Sequence, residues 1–183
     1  MRRNLVLIGL GALALATTAT PAFAQKPSLG IAAGISMPQG NFKDIAGSGL
    51  NATVALGLGM PMLPVGVRLE GSYNRFPFSD DIEAVIGEKG SWNFASATGN
   101  VTLGLPLSAI VVSPYLIAGG GMYWGNCSVK SACDGESKFG YNGGLGVKLR
   151  AVMLSGYIEA RYHSIQTEGE STSFLPVTIG IMF

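Results

Sequence analysis

Between Leu175 and Phe183 every second residue is apolar: Leu175, Val177, Ile179, Ile181 and Phe183. Pro176, Thr178, Gly180 and Met182 alternate with them and make a face of mostly small or weakly polar residues. A repeat of two is the repeat of a β-strand, in which successive side chains point to opposite faces. A soluble barrel points such an apolar face inward, and a membrane barrel points the same face out into lipid. The rest of the chain has to choose between these.

The front of the chain speaks for export. Arg2 and Arg3 precede the apolar run Leu5 to Ala16, and Pro21 and Ala22-Phe23-Ala24 follow. This is the order of a charged region, a hydrophobic region and a small-residue cleavage site. The run is shorter than the roughly 20 apolar residues that a membrane helix needs. Residues 1–24 are therefore expected to be a cleaved signal peptide, and 25–183 the mature domain. No second long apolar run follows. Charged residues make up only 13% of the chain, about half the usual share. Removing Arg2 and Arg3 takes the formal net charge from +1 to −1, so no nucleic-acid partner is indicated.

Turn signals divide the mature chain into eight alternating segments, each about the length of a tilted membrane strand. They span residues 29–37, 50–60, 65–76, 92–105, 111–124, 138–150, 156–165 and 174–183. The third is the clearest: Val65, Val67, Leu69 and Tyr73 oppose Arg68, Glu70, Ser72 and Asn74. In the seventh, Ile158, Ala160 and Tyr162 oppose Tyr157, Glu159, Arg161 and His163. The fifth alternates poorly: Tyr115, Ile117 and Tyr123 share a face, with Leu116 and Met122 on the other. Connections after the odd-numbered segments are long and polar, and those after the even-numbered ones are short. Outer-membrane barrels have this asymmetry, with long loops outside and short turns on the periplasmic side. Tyr73, Phe76, Tyr123, Phe139, Tyr141, Tyr162 and Phe174 fall near the long-loop ends, and Tyr115, Tyr157 and Phe183 near the short-turn ends. They are expected to form two aromatic belts at the membrane interfaces. The fold class that follows is all-β, an eight-stranded antiparallel up-and-down transmembrane β-barrel.

Several short pieces carry a resemblance. They are Gly34-Ile35-Ser36-Met37-Pro38 with Gly40-Asn41-Phe42, then Arg68-Leu69-Glu70, Pro114-Tyr115, Glu159-Ala160-Arg161-Tyr162 and Gly180-Ile181-Met182-Phe183. In this order and spacing the chain resembles the small eight-stranded outer-membrane β-barrels of the OmpA/OmpX type. The resemblance covers essentially the whole mature chain. It implies that the last strand (Val177, Ile179, Ile181, Phe183), with Tyr157 of the preceding strand, is the signal read by the outer-membrane insertion machinery. No peptidoglycan-binding domain is expected after the barrel.

The charged residues Arg68, Glu70, Lys148, Arg150, Glu159, Arg161 and His163 all fall on the polar faces. Eight strands enclose an interior just wide enough for side chains to fill. An unpaired charge there is costly, so these residues are expected to form an ion-pair network that plugs the lumen. His163-Ser164 with Glu168 and Glu170 invites comparison with a hydrolase triad. Adjacent strand residues point to opposite faces, however, which separates nucleophile from base. No catalytic residue is therefore assigned. His163 is the single histidine, which excludes a multi-histidine metal site, and neither metal nor cofactor is expected. Cys127 and Cys133 share one loop and, in an exported protein, are expected to pair as a disulfide. Asp80-Asp81-Ile82-Glu83-Ala84-Val85-Ile86 is expected to form a helical turn capped by Ser79.

The function expected from these readings is structural: a monomeric barrel in the cell outer membrane that displays its loops. Its partners would be outer-membrane lipid, lipopolysaccharide and the insertion machinery. The alternatives are a small porin-like pore, a lipid-modifying outer-membrane enzyme, and a soluble exported barrel like a lipocalin that binds an apolar ligand inside.

Overall fold

The computed structural model describes residues 27–59, 63–106, 112–129, 135–150, 155–167 and 171–183. Among the described residues, eight strands follow in order: β1 (Pro27–Gln39), β2 (Gly49–Gly59), β3 (Val65–Pro77), β4 (Ser91–Gly104), β5 (Val112–Cys127), β6 (Glu136–Arg150), β7 (Ser155–Gln166) and β8 (Ser171–Met182). Each pairs antiparallel with its sequence neighbour, and β1 pairs with β8 to close the barrel. Closure satisfies the backbone of every strand from both sides, the condition that hydrocarbon imposes. Every predicted segment is found as one strand. The largest shifts are at β8, which starts at Ser171, and at β5, which runs on through Cys127 where a loop was expected from Gly125.

Side-chain direction decides between the two barrels. Ile31, Ile35, Val54, Leu69, Leu145, Ile158 and Ile179 lie exposed on the outer wall. Ser36, Asn51, Asn74, Asn100, Asn142 and the charged residues of β3 and β7 are buried inside. Ile179 is 65% exposed and Glu159 1%, the inverse of a water-soluble core. The apolar faces therefore point outward, which overturns the soluble, lipocalin-like alternative. On β5, Tyr115, Ile117 and Tyr123 turn inward and Leu116 and Met122 outward. Its glycines set how close the strands come: a Cβ on Gly121 would collide with the Ala97 carbonyl oxygen of β4.

The expected aromatic belts need correction. Phe76, Phe174 and Tyr123 are fully buried inside the barrel, and Tyr115 and Tyr157 are buried inside it at the other end. Their positions share the inward parity of Glu70, Glu159 and Thr178 on their strands, so they cannot face lipid. Among the belt residues named from the sequence, Tyr73, Phe139, Tyr141 and Tyr162 remain exposed near the long-loop end, and Phe183 near the short-turn end.

The long connections are structured. The first begins with a 3-10 turn (Gly40–Asp44) that buries Phe42. The second contains α1 (Asp80–Ile86), the expected helical turn. Ser79 precedes it but makes no side-chain cap; its Oγ donates to the Asp44 carbonyl at 3.1 Å. Two backbone bonds tie the connections together, Gly47 N to Pro77 O at 2.9 Å and Ser79 N to Ile45 O at 3.1 Å. Trp92 Nε1 adds a third link, to the Ile45 carbonyl at 3.3 Å. The leader 1–24, Cys133, Glu168 and Glu170 lie outside the described residues, as does the side chain of Arg150.

Candidate functional site

The inner faces of β3 and β7 carry charge at matching spacing, Arg68-x-Glu70 and Glu159-x-Arg161. Period two puts each pair on one face, and barrel closure sets the two faces across the lumen from each other. Their order is opposite along the two strands, so cation meets anion both along and across. Arg68 Nη2 donates to Glu159 Oε2 at 2.5 Å, and Arg161 Nη1 to Glu70 Oε2 at 2.5 Å. Within the strands, Arg68 Nε lies 2.7 Å from Glu70 Oε1 and Arg161 Nε 2.6 Å from Glu159 Oε1. Both of these Nε contacts are charge contacts rather than aligned hydrogen bonds. The four side chains form a closed, electrically neutral ring.

Neutral donors complete the ring. Tyr115 Oη donates to Glu159 Oε2 at 2.6 Å, and Asn100 Nδ2 to Glu70 Oε2 at 2.8 Å. Asn142 Nδ2 donates to Asn100 Oδ1 at 2.9 Å, which holds that amide in place. The Arg68 guanidinium lies 5.4 Å over the Tyr157 ring. Buried charges survive only with such full pairing. The two tyrosines fit because glycine faces them. Tyr115 packs on Gly146 and Tyr157 on Gly180, where a Cβ would collide with the ring atoms.

Above the ring, towards the long loops, the lumen becomes aromatic. His163 stacks on Phe174 at 5.0 Å and 14°, with its Nδ1 2.8 Å from Tyr123 Oη. Phe174 meets Phe76 edge-on at 5.4 Å, and Phe42 closes on Phe76 at 5.1 Å from the first loop. With Tyr123 and Ile165 these rings form one buried cluster across the barrel mouth. Below the ring the lumen opens instead into a vestibule of about 430 Å³, where Lys148 Nζ stands 5.6 Å over the Tyr115 ring.

Of the residues expected in the plug, Arg68, Glu70, Glu159 and Arg161 come together in the ring. His163 belongs to the aromatic layer, Lys148 to the vestibule. His163 and Ser164 are both buried but face different neighbours, Phe174 and Ser173 on β8, and do not form a nucleophile–base pair. Tyr157 is on β7 and faces the lumen, apart from the outward Val177, Ile179 and Ile181 of β8. Cys127 is buried at the long-loop end of β5. Sequence reading missed Tyr115, Asn100 and Asn142 as ring partners, although each shares the inward parity of its strand.

Solved structures of similar fold include Neisserial surface protein A, at 12% identity and a TM-score of 0.66 over 87% of this chain and 98% of that one. Ail, the attachment invasion locus protein of Yersinia pestis, aligns at 16% identity and TM-score 0.53 over 88% of this chain and 100% of its own. A major outer membrane protein from Thermus thermophilus aligns at 12% and 0.57, over 86% and 99%. At such identities the likeness is one of fold. No curated protein matches the chain in sequence. The profile of the outer membrane protein beta-barrel domain family matches residues 10–182, and the chain belongs to that family.

Proposed function

We propose that this protein is a monomeric barrel of the cell outer membrane that acts as a rigid mount for its long loops, with a lumen that does not conduct. The observation that carries this reading is the double closure of the lumen. A neutral ring of paired charges fills its middle, and an aromatic cluster that includes a loop residue, Phe42, fills its outer end. Loops hydrogen-bonded to one another suit a fixed recognition surface. Residues 1–24 are removed on export, Cys127 and Cys133 pair to pin the third loop, and the β8 strand is read by the insertion machinery.

The outer face is acidic. Among the described residues towards the long loops, Asp44, Asp80, Asp81, Glu83, Glu88 and Glu136 outnumber Lys43, Arg75, Lys89 and Lys138. Ail has been solved with the heparin analogue sucrose octasulfate. The loop charge here disfavours such a polyanion and favours a cationic partner, or lipopolysaccharide bridged by divalent cations.

Membrane fractionation and bilayer recording test this. The protein is expected in the outer-membrane fraction, with gel mobility that changes on heating and no unitary conductance in planar bilayers. Deleting residues 80–86 is expected to leave the barrel folded. Recovery in the aqueous fraction, or conductance altered by Arg68 or Glu70 substitutions, would defeat the reading. So would a change in lipid A mass that disappears with His163→Ala.

A further inference from the structure

A pocket of about 360 Å³ lies inside the long-loop mouth, beside the aromatic cluster. Phe42, Tyr123 and Ile165 of that cluster line it, together with Ile45, Trp92 and Phe94, which pack against the cluster. Phe94, Tyr123 and Ile165 carry the inward parity of Asn100, Ile117 and Glu159 on their strands. The barrel wall therefore stands between this space and the outer apolar surface, and what enters comes from water rather than from hydrocarbon.

The walls are held in place by bonds within the protein. The Ile45 carbonyl oxygen accepts from Ser79 N at 3.1 Å and from Trp92 Nε1 at 3.3 Å, which fixes the loop residue and the indole ring together. Tyr123 Oη is bonded to His163 Nδ1 at 2.8 Å. The polar atoms of both rings are thus engaged, and the rings offer the pocket their carbon faces and edges. At the rim, Lys138 Nζ and Glu136 Oε2 lie 3.3 Å apart, so their charges cancel. An ion entering this space would lose hydration without gaining an opposite charge. A neutral ring gains apolar burial and can meet the wall rings edge-on or offset. The volume is that of a small-molecule site.

We propose that the pocket in the long-loop mouth is a binding site for a small, uncharged, water-borne aromatic molecule of one or two rings, held between Trp92, Phe94 and Ile45. The site is built from the aromatic cluster and the first loop, and it stands whether or not the lumen conducts.

The test is amide NMR of the full barrel in dodecyl maltoside, titrated with indole at constant detergent. Saturable shifts are expected at Ile45, Phe94 and Ile165. Leu145 and Ile179 on the outer wall report indole dissolved in the micelle, and their shifts are expected not to saturate. Benzoate and benzylamine, each charged, are expected to bind more weakly than indole by about tenfold or more. Thr172 lines the pocket as the register partner of Ile165; Thr172→Trp fills the space and is expected to abolish binding. Ile45→Ala removes part of the loop wall and is expected to weaken binding by about tenfold. Val85→Ala, in the second long connection and 84% exposed, is expected to bind as the parent does. Heat-modifiable mobility confirms that each variant is folded, and Ile45→Ala decides the matter if Thr172→Trp does not fold. Shifts at the pocket amides that never saturate, equal affinity for benzoate or benzylamine, or parent-like binding by folded Thr172→Trp or Ile45→Ala would overturn the proposal.

Discussion

Glu159 is the point at which the lumen ring is most vulnerable. Its two oxygens take Arg68 Nη2 at 2.5 Å, Arg161 Nε at 2.6 Å and Tyr115 Oη at 2.6 Å, and the residue is 1% exposed. Glu159→Gln keeps the shape and removes one negative charge. The ring then carries an uncompensated positive charge among buried side chains. Removing one partner of a buried pair costs about 3–5 kcal/mol. Adding Arg161→Gln restores neutrality and leaves Arg68 with Glu70. The double variant is therefore expected to be more stable than the sum of the single effects by about 2 kcal/mol. An exposed pair supplies the contrast. Glu136 and Lys138 are 3.3 Å apart with side chains 61% and 28% exposed, and breaking such a pair costs at most about 1 kcal/mol. The assay is urea unfolding from lipid vesicles. Fluorescence of Trp124, which is exposed on the outer wall, reports its departure from hydrocarbon, and unheated gel mobility reports the fold. The reasoning fails if Glu159→Gln costs less than about 1 kcal/mol, or if the two substitutions are additive.

Further substitutions probe the other surfaces. Ile179→Arg puts a charge on the exposed outer wall and is expected to cost about 2–4 kcal/mol in the same vesicle assay; a smaller loss would place this face outside hydrocarbon. Gly144→Ala drives a Cβ into the Ala160 carbonyl oxygen and should cost about 1–3 kcal/mol. Gly99→Ala meets only Leu69 at 3.7 Å and should stay within about 0.5 kcal/mol of the parent. Phe42→Ala removes the ring that seals against Phe76 and Phe94. It is expected to speed hydrogen exchange at Gly47, whose amide bonds to the Pro77 carbonyl. For Cys127 and Cys133, mass spectrometry of unreduced peptides is expected to find them linked, and maleimide labelling of both would contradict that.

The barrel was legible because period two is a strong signal when each strand separates Val, Ile and Leu from Gly, Ser, Asn and charge. The ring was legible for the same reason, since Arg68-x-Glu70 and Glu159-x-Arg161 cannot face lipid. Contacts across the lumen were less so. That Asn100 bonds Glu70, or that Tyr115 reaches Glu159, depends on register and strand tilt, which parity alone does not fix. The aromatic belts went wrong in an instructive way. Phe76, Tyr123 and Phe174 were placed by height along their strands, but their facing was available from the inward parity of Arg68, Ile117 and Thr178. Pro176 adds a local irregularity: the β7–β8 ladder skips the pairs at Arg161 and Tyr162, where proline offers no N–H.

The same chain closes its lumen with aromatic rings at one end and leaves a vestibule at the other. Towards the long loops the inward positions are Phe76, Phe94, Tyr123 and Phe174, capped by Phe42. Towards the short turns they include Gly57, Gly59, Gly66 and Gly104. A through-pore needs passage at both ends and in the middle, and here two of the three are filled.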